Sequence, residues 1–298
     1  MRSALVVAFI LTVFVLVSAD VYTECDYGRL NSTKGVYLGT LAGYNTASSF
    51  FDNNGDSQSG FDNTYTQIPI RAGFAFNPYW TAYFLLPLGQ ISADVVADDG
   101  TVTNESSEFG LSNPWLVGKW VRPSGSGFFL GPRLGFRFPF ASSTDENAGS
   151  GKLAVGDKNF AIDLGVVGRS HPESRSFRMD TSAGIRYYME ASYDIAGVTV
   201  KKQPGLFYYI MAEPGFAWGR AKDLATYVVL RYEGAGDSKT DGSSNSNAFF
   251  HFDAGLKQDW MMDDNNCLEL RGVYTVMGKN YPQYIQIALG YNGIIPTR

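Results

Sequence analysis

Phe177-Arg178-Met179-Asp180-Thr181-Ser182-Ala183-Gly184-Ile185-Arg186-Tyr187-Tyr188-Met189-Glu190 decides the fold. Phe177, Met179, Thr181, Ala183, Ile185, Tyr187 and Met189 fall on one side of a period of two. Arg178, Asp180, Ser182, Gly184, Arg186, Tyr188 and Glu190 fall on the other. In a strand, successive side chains point to opposite faces. One face of this segment therefore suits hydrocarbon and the other suits water. The same alternation recurs from about Gly35 to Tyr291, in segments as long as a tilted strand crossing a bilayer. The expected fold is all-β: a transmembrane antiparallel up-and-down β-barrel of about twelve strands.

The strands are expected at 34–45, 63–77, 79–90, 109–121, 127–140, 158–169, 176–190, 205–218, 225–235, 247–260, 267–277 and 281–291. Short turns such as Asn77-Pro78 and Met261 to Asn266 alternate with long connections: Thr46 to Asp62, Ile91 to Glu108, Ala141 to Asp157, Ala191 to Pro204 and Gly236 to Ser246. Outer-membrane barrels have short periplasmic turns and long outer loops. An even strand count then leaves both termini in the periplasm. The short connection Gly278 to Asn280 departs from the pattern.

The N-terminus reads as a bacterial export signal: Arg2, an apolar run from Ala4 to Val17, and Val17-Ser18-Ala19 as a small-residue cleavage site before Asp20. Residues 1–19 are expected to be the signal peptide and residues 20–298 a single barrel domain, integral to the outer membrane of a Gram-negative cell. Cys25 does not directly follow the cut, which argues against lipidation. The two cysteines, Cys25 and Cys267, both fall on the periplasmic side in this topology. They form either one bridge that pins the N-terminal tail near the barrel seam or two separate thiols.

The net charge of −5 argues against nucleic acid as a partner. The long connections are rich in Gly, Ser, Asn and Asp, as solvated loops are. Their acids serve solubility or cation bridging to lipopolysaccharide. Asp52-Asn53-Asn54-Gly55-Asp56 starts like a calcium loop but lacks glycine at the sixth position and glutamate at the twelfth. Ile285, Ile287, Leu289 and Tyr291 form an apolar stripe ending in an aromatic, similar to the C-terminal signal read by barrel-assembly machinery, although Asn292 to Arg298 follow it. Outer-membrane lipids, lipopolysaccharide and that machinery are the expected partners, beside an unidentified small-molecule solute.

The apolar face of each strand is expected against lipid, with Leu130, Leu164, Val166, Val228, Leu256 and Leu270 among its members. The other face must point inward. It carries Arg71, Lys119, Arg133, Arg137, Arg178, Arg186, Arg231, Lys257 and Arg271, with Asp163, Asp180, Glu190, Glu213, Glu233, His251, Asp253, Asp259 and Glu269. Turning these toward lipid would cost on the order of 2–4 kcal/mol for each Arg or Lys near the midplane, so the phase of the alternation is fixed. Two readings of this interior stand. The charges line a wet path that selects small solutes, or they pair and fill the lumen of a barrel that stabilises the membrane or displays loops. Lys119, Arg133 and Arg137 lie on strands without an acid, which makes that wall the first place to expect an anion.

Enzymatic chemistry finds little support. The two histidines are His171, in the turn Ser170-His171-Pro172, and His251, flanked by Phe250 and Phe252. There is no G-x-S-x-G element, metal-ligand cluster, phosphate loop or dinucleotide fingerprint. A lipid-acting enzyme centred on His251 is the remaining catalytic reading. No cofactor is expected.

Phe109-Gly110-Leu111-Ser112-Asn113-Pro114-Trp115-Leu116-Val117-Gly118-Lys119-Trp120 resembles the G-L-G-D-x-x-L-G-x-K-Y strand of the transporter-like outer-membrane family of the MetA pathway of phenol degradation. Ser112 and Asn113 stand where that family has glycine and aspartate. Leu134 to Pro139, Phe160 to Gly168, Gly215 to Tyr232, Phe249 to Gly278 and Gln283 to Tyr291 are similar as well. The resemblance implies passive uptake of small, often hydrophobic or aromatic, compounds across the outer membrane.

Overall fold

The computed structural model describes residues 34–77, 79–96, 102–106, 109–124, 128–140, 156–170, 176–195, 198–219, 223–263 and 266–297. Twelve antiparallel strands close into a barrel. They are β1 (Gly35–Phe51), β2 (Ser57–Asn77), β3 (Trp80–Val96), β4 (Trp115–Trp120), β5 (Phe128–Arg137), β6 (Ala161–Ser170), β7 (Phe177–Tyr188), β8 (Phe207–Trp218), β9 (Leu224–Ala235), β10 (Phe249–Met261), β11 (Asn266–Lys279) and β12 (Tyr281–Pro296). Each strand pairs with its sequence neighbours. The ring closes where β12 runs against β1, from Gly35 opposite Pro296 to Phe51 opposite Tyr281. Closure leaves no edge strand, which a bilayer requires because it offers exposed peptide groups no hydrogen-bond partner.

The alternation read from sequence is the burial pattern of the wall. On β10, Leu256 is 61% exposed while Lys257 beside it is 4% exposed. A charged residue is more hidden than its leucine neighbour only if the outside is hydrocarbon and the inside is the packed side. Leu130, Leu164, Val166, Val228, Leu270, Ile285, Ile287 and Leu289 are likewise exposed. Four of the five tryptophans, Trp80, Trp120, Trp218 and Trp260, stand at the short-turn ends of their strands. Trp80 and Trp120 stack at 5.3 Å, and the Arg122 guanidinium lies 4.0 Å from the Trp120 ring centroid. Tyr44, Tyr187, Tyr232 and Tyr274 are exposed toward the other end. Two aromatic girdles thus bracket the apolar band, each ring placing its apolar body toward lipid and its polar tip toward the interface.

Several connections differ from expectation. The expected loop Thr46 to Asp62 is mostly ladder: Ser49 pairs with Ser59, Phe50 with Gln58 and Phe51 with Ser57. A five-residue turn from Asp52 to Asp56 joins them. β3 continues to Val96, and Val102–Ser106 pairs back onto it. Ala191–Ile195 and Val198–Gln203 form a hairpin, which Lys239–Thr240 and Ser243–Ser244 extend into a small second sheet. Above the bilayer both faces of a hairpin are wet, so the ladder persists without alternation. The expected strand 109–121 is split into Gly110–Leu111 and β4 by Ser112-Asn113-Pro114. Pro114 has no N–H to give. The Ser112 N–H bonds the Pro87 carbonyl at 2.7 Å, and the Pro114 carbonyl accepts from Phe138 N–H at 2.9 Å. The wall stays sealed across the break.

Candidate functional site

The inward face carries an apolar core and a set of buried ion pairs that bridge strands. Tyr37, Tyr83, Leu85, Trp115, Phe207, Tyr209, Phe249 and Tyr281 belong to one buried cluster. Period two places a charge one pleat from an aromatic on the same strand, as with Arg186 and Tyr188, so packing and pairing interleave.

Asp163 on β6 is the hub of the first network. Its carboxylate pairs with Arg133 from β5, accepts Arg186 Nη2 from β7 at 2.8 Å and accepts the Tyr209 hydroxyl from β8 at 3.1 Å. Arg133 also donates to the Tyr209 hydroxyl oxygen at 2.9 Å. The Arg186 guanidinium lies 4.5 Å from the Trp115 ring centroid and 4.9 Å from that of Phe207. Four adjacent strands converge on one carboxylate with no solvent exposure.

Above it, Arg137 donates to both Asp157 oxygens, at 2.8 and 2.9 Å. Asn113, from the break before β4, donates to the Asp157 carbonyl at 2.9 Å. The Asn159 amide donates to the Met189 and Lys202 carbonyls at 2.7 and 3.1 Å, and Tyr193 donates to its oxygen. The segment before β6 is thereby tied to the outer hairpin.

Next along the same wall, Arg231 of β9 pairs with Asp253 of β10. His251 lies between two carboxylates, 3.1 Å from Asp253 through Nδ1 and 3.1 Å from Glu233 through Nε2, and stacks on Tyr281 at 3.8 Å. This arrangement holds the imidazole in place and offers it no nucleophile among the atoms it touches. Deeper in the lumen, register sets Asp180 opposite Glu213 and Asp259 opposite Glu269, like charges that would repel. Lys257 offsets this: it pairs with Glu213, lies 3.6 Å from Asp180 and 4.0 Å from Asp259. Arg271 bonds Glu213 at 2.7 Å and Glu269 at 3.0 Å.

Most of the charges expected inside are thus buried within the barrel. Arg71 donates to Asn292 at 3.2 Å, Lys119 is buried on β4, and Arg178 is half-buried near the short-turn rim. Glu190 differs: β7 ends at Tyr188, and Glu190 is exposed beyond it, 3.5 Å from Lys201. Its even-numbered phase outlived the strand that gave phase a meaning. Arg133 and Arg137 do have acid partners, contributed by β6 and by the segment before it. Asp157, Asn113 and Asn159 were not legible as site residues, because no alternation marks a residue outside a regular strand. The expected signal peptide, His171 and Cys25 lie outside the described residues; Cys267 is buried at the start of β11.

The Asp52 carboxylate accepts the Asn54 N–H at 2.8 Å and the Asp56 N–H at 3.0 Å, and also the Gln58 amide. These donors hold its pKa below the usual carboxylate value.

Three solved structures share this architecture. The chain is 15% identical to an outer membrane channel from Pseudomonas putida F1, with a TM-score of 0.74 and coverage of 90% of this chain and 98% of that one. The translocator domain of the autotransporter NalP from Neisseria meningitidis gives 10% identity, a TM-score of 0.54 and coverage of 94% and 95%. The transport unit of the autotransporter AIDA-I from Escherichia coli gives 9% identity, a TM-score of 0.50 and coverage of 88% and 90%. At these identities the likeness shows the fold. No protein-family model and no curated protein matches the sequence.

Proposed function

We propose that this protein is an integral outer-membrane channel that passes small molecules passively through a narrow charged lumen. The observation that carries this reading is the lumen wall itself. Ion-paired residues from β5 to β11 face a common interior, inside a closed barrel whose outer face is apolar. The similarity in architecture to a structure described as an outer membrane channel, over nearly the whole of both chains, supports it. The resemblance to the phenol-degradation family favours small, often aromatic solutes. Neither the fold nor the His251 surroundings favour an enzyme.

Passage through such a wall follows from exchange of partners. A carboxylate or guanidinium held at low local dielectric interacts strongly with a passing polar group. Because Asp163, Arg133 and Arg186 are buried, a solute gains hydrogen bonds from them only as their pairs part, and the pairs re-form as it leaves. Charge and donor count then set selectivity, and the narrowness sets size. Lipopolysaccharide around the outer girdle and barrel-assembly machinery acting on the Ile285-to-Tyr291 stripe are the partners this reading needs.

One observation favours a second reading, a non-conducting barrel that is structural or displays its loops: the inward charges are almost wholly buried and pair with one another. Swelling of proteoliposomes separates the two. A channel admits small neutral and ionic solutes at rates that rise with protein content. Impermeable vesicles carrying a heat-modifiable, folded barrel would sink the channel reading.

A further inference from the structure

We infer that Trp80, Trp120 and Arg122 form a binding site for the phosphate headgroup of an anionic phospholipid, on the lipid-facing surface of the barrel at its short-turn rim. The site faces the bilayer and not the lumen, so it stands independently of the channel reading.

Register brings the three residues together. Trp80 at the start of β3 is opposite Trp120 at the end of β4, and their rings stack at 5.3 Å. Val121 is 3% exposed and points inward. Arg122 therefore returns to the side of Trp120 and is exposed. Its guanidinium carbon lies 4.0 Å from the Trp120 ring centroid. Among the described residues the Arg122 side chain makes no ion pair and no hydrogen bond. The indole N–H groups of Trp80 and Trp120 bond no protein acceptor there either, whereas that of Trp218 donates to Thr226 Oγ1 at 3.0 Å.

A guanidinium stacked on an aromatic face keeps its in-plane N–H donors, and their fork matches the oxygens of a phosphate. Tryptophan rings of a girdle sit at headgroup level. Exposed donors without a protein acceptor thus stand at the depth of the phosphate layer.

The surface toward the midplane suits the acyl chains. One pleat from Trp120, Gly118 is opposite Ala82 on β3 and Leu134 on β5. Nothing lies within 4 Å of the point where a Gly118 side chain would begin. The small pair leaves a shallow furrow beneath the stacked indoles. Phe84, Leu134 and Leu130, the last opposite Arg122, are exposed around it. A chain lying in this furrow brings its headgroup to Arg122.

Charge selects the headgroup. The outward positions at the short-turn ends of β1 to β5 include two cations, Arg122 and, at the foot of β1, Lys34, and no carboxylate. A zwitterionic headgroup would bring an ammonium beside cations with no acid to receive it. Phosphatidylglycerol brings the phosphate alone.

The test is native mass spectrometry of the folded full chain in dodecyl maltoside, titrated with phosphatidylglycerol and phosphatidylethanolamine, with inorganic phosphate as competitor. The variants are Arg122→Gln, Arg122→Lys and Lys279→Gln, the last removing the same charge at the opposite end of the barrel. Arg122 is exposed, so its replacement leaves the interior untouched, and heat-modifiable migration checks folding. Phosphatidylglycerol is expected to bind about fivefold tighter than phosphatidylethanolamine. Arg122→Gln should lose about that factor and the preference with it, Arg122→Lys should keep part of both, and Lys279→Gln should keep all. Inorganic phosphate at equal concentration should displace nothing. Equal phosphatidylglycerol affinity in the parent and Arg122→Gln, an equal loss in Lys279→Gln, or no preference between the two lipids would each overturn the site. Displacement by inorganic phosphate would assign these donors to a free anion and contradict the lipid.

Discussion

Asp163 joins Arg133, Arg186 and Tyr209 from three other strands. Removing one member of such a set leaves the others charged and buried. Asp163→Leu is expected to cost about 3–5 kcal/mol, measured as unfolding of the refolded protein in lipid vesicles by urea. Replacing Arg133 and Arg186 by Met in the same chain should recover much of that loss, because no lone charge remains. Unchanged stability in the single variant would mean that the lumen admits water freely around these groups. Asp163, Arg133 and Arg186 were legible in the sequence because each breaks an apolar alternation. Asp157, which holds Arg137, was not, since no alternation marks a residue outside a regular strand.

At the level of strands, lipid contact is the quantity to test. Leu256→Arg on β10 should destabilise the folded barrel by about 2–4 kcal/mol, and Gln258→Arg nearer the tryptophan girdle by about 0–1 kcal/mol. The same urea titration reads both, and equal costs would place the midplane elsewhere. Gly131 tests close strand approach: a Cβ there would come within 1.7 Å of the Trp120 carbonyl oxygen. Gly131→Val should therefore reduce the yield of heat-modifiable barrel. The Asp52 turn has a pH signature. Its carboxylate titrates below its unfolded value, so the support it gives the β1–β2 turn is complete above that value and is lost as pH falls through the lowered one. Limited proteolysis between Asp52 and Asp56 should accelerate only in strong acid, and Asp52→Ala should bring that acceleration to neutral pH. Strand existence and phase were legible throughout because lipid enforces them. The extensions of β1, β2 and β3 and the hairpin at Ala191–Gln203 were not, because water on both faces removes the alternation. The break at Ser112-Asn113-Pro114 was hidden inside an otherwise continuous apolar pattern.

Across the whole molecule, closure and interior charge together make the functional case. β12 against β1 removes the last edge, and the paired side chains of β5 to β11 face the space that closure creates. Strand count and the inward face followed from the sequence, whereas the partners of Arg133 and Arg137 depended on which strands became neighbours. The most direct test is single-channel recording of the refolded protein in planar bilayers, with ion selectivity measured for the parent and for Arg133→Gln and Arg137→Gln. A small, steady conductance whose selectivity shifts in the two variants is the predicted result. A folded, heat-modifiable barrel that never conducts above the bare bilayer would contradict the channel and leave a structural barrel in its place.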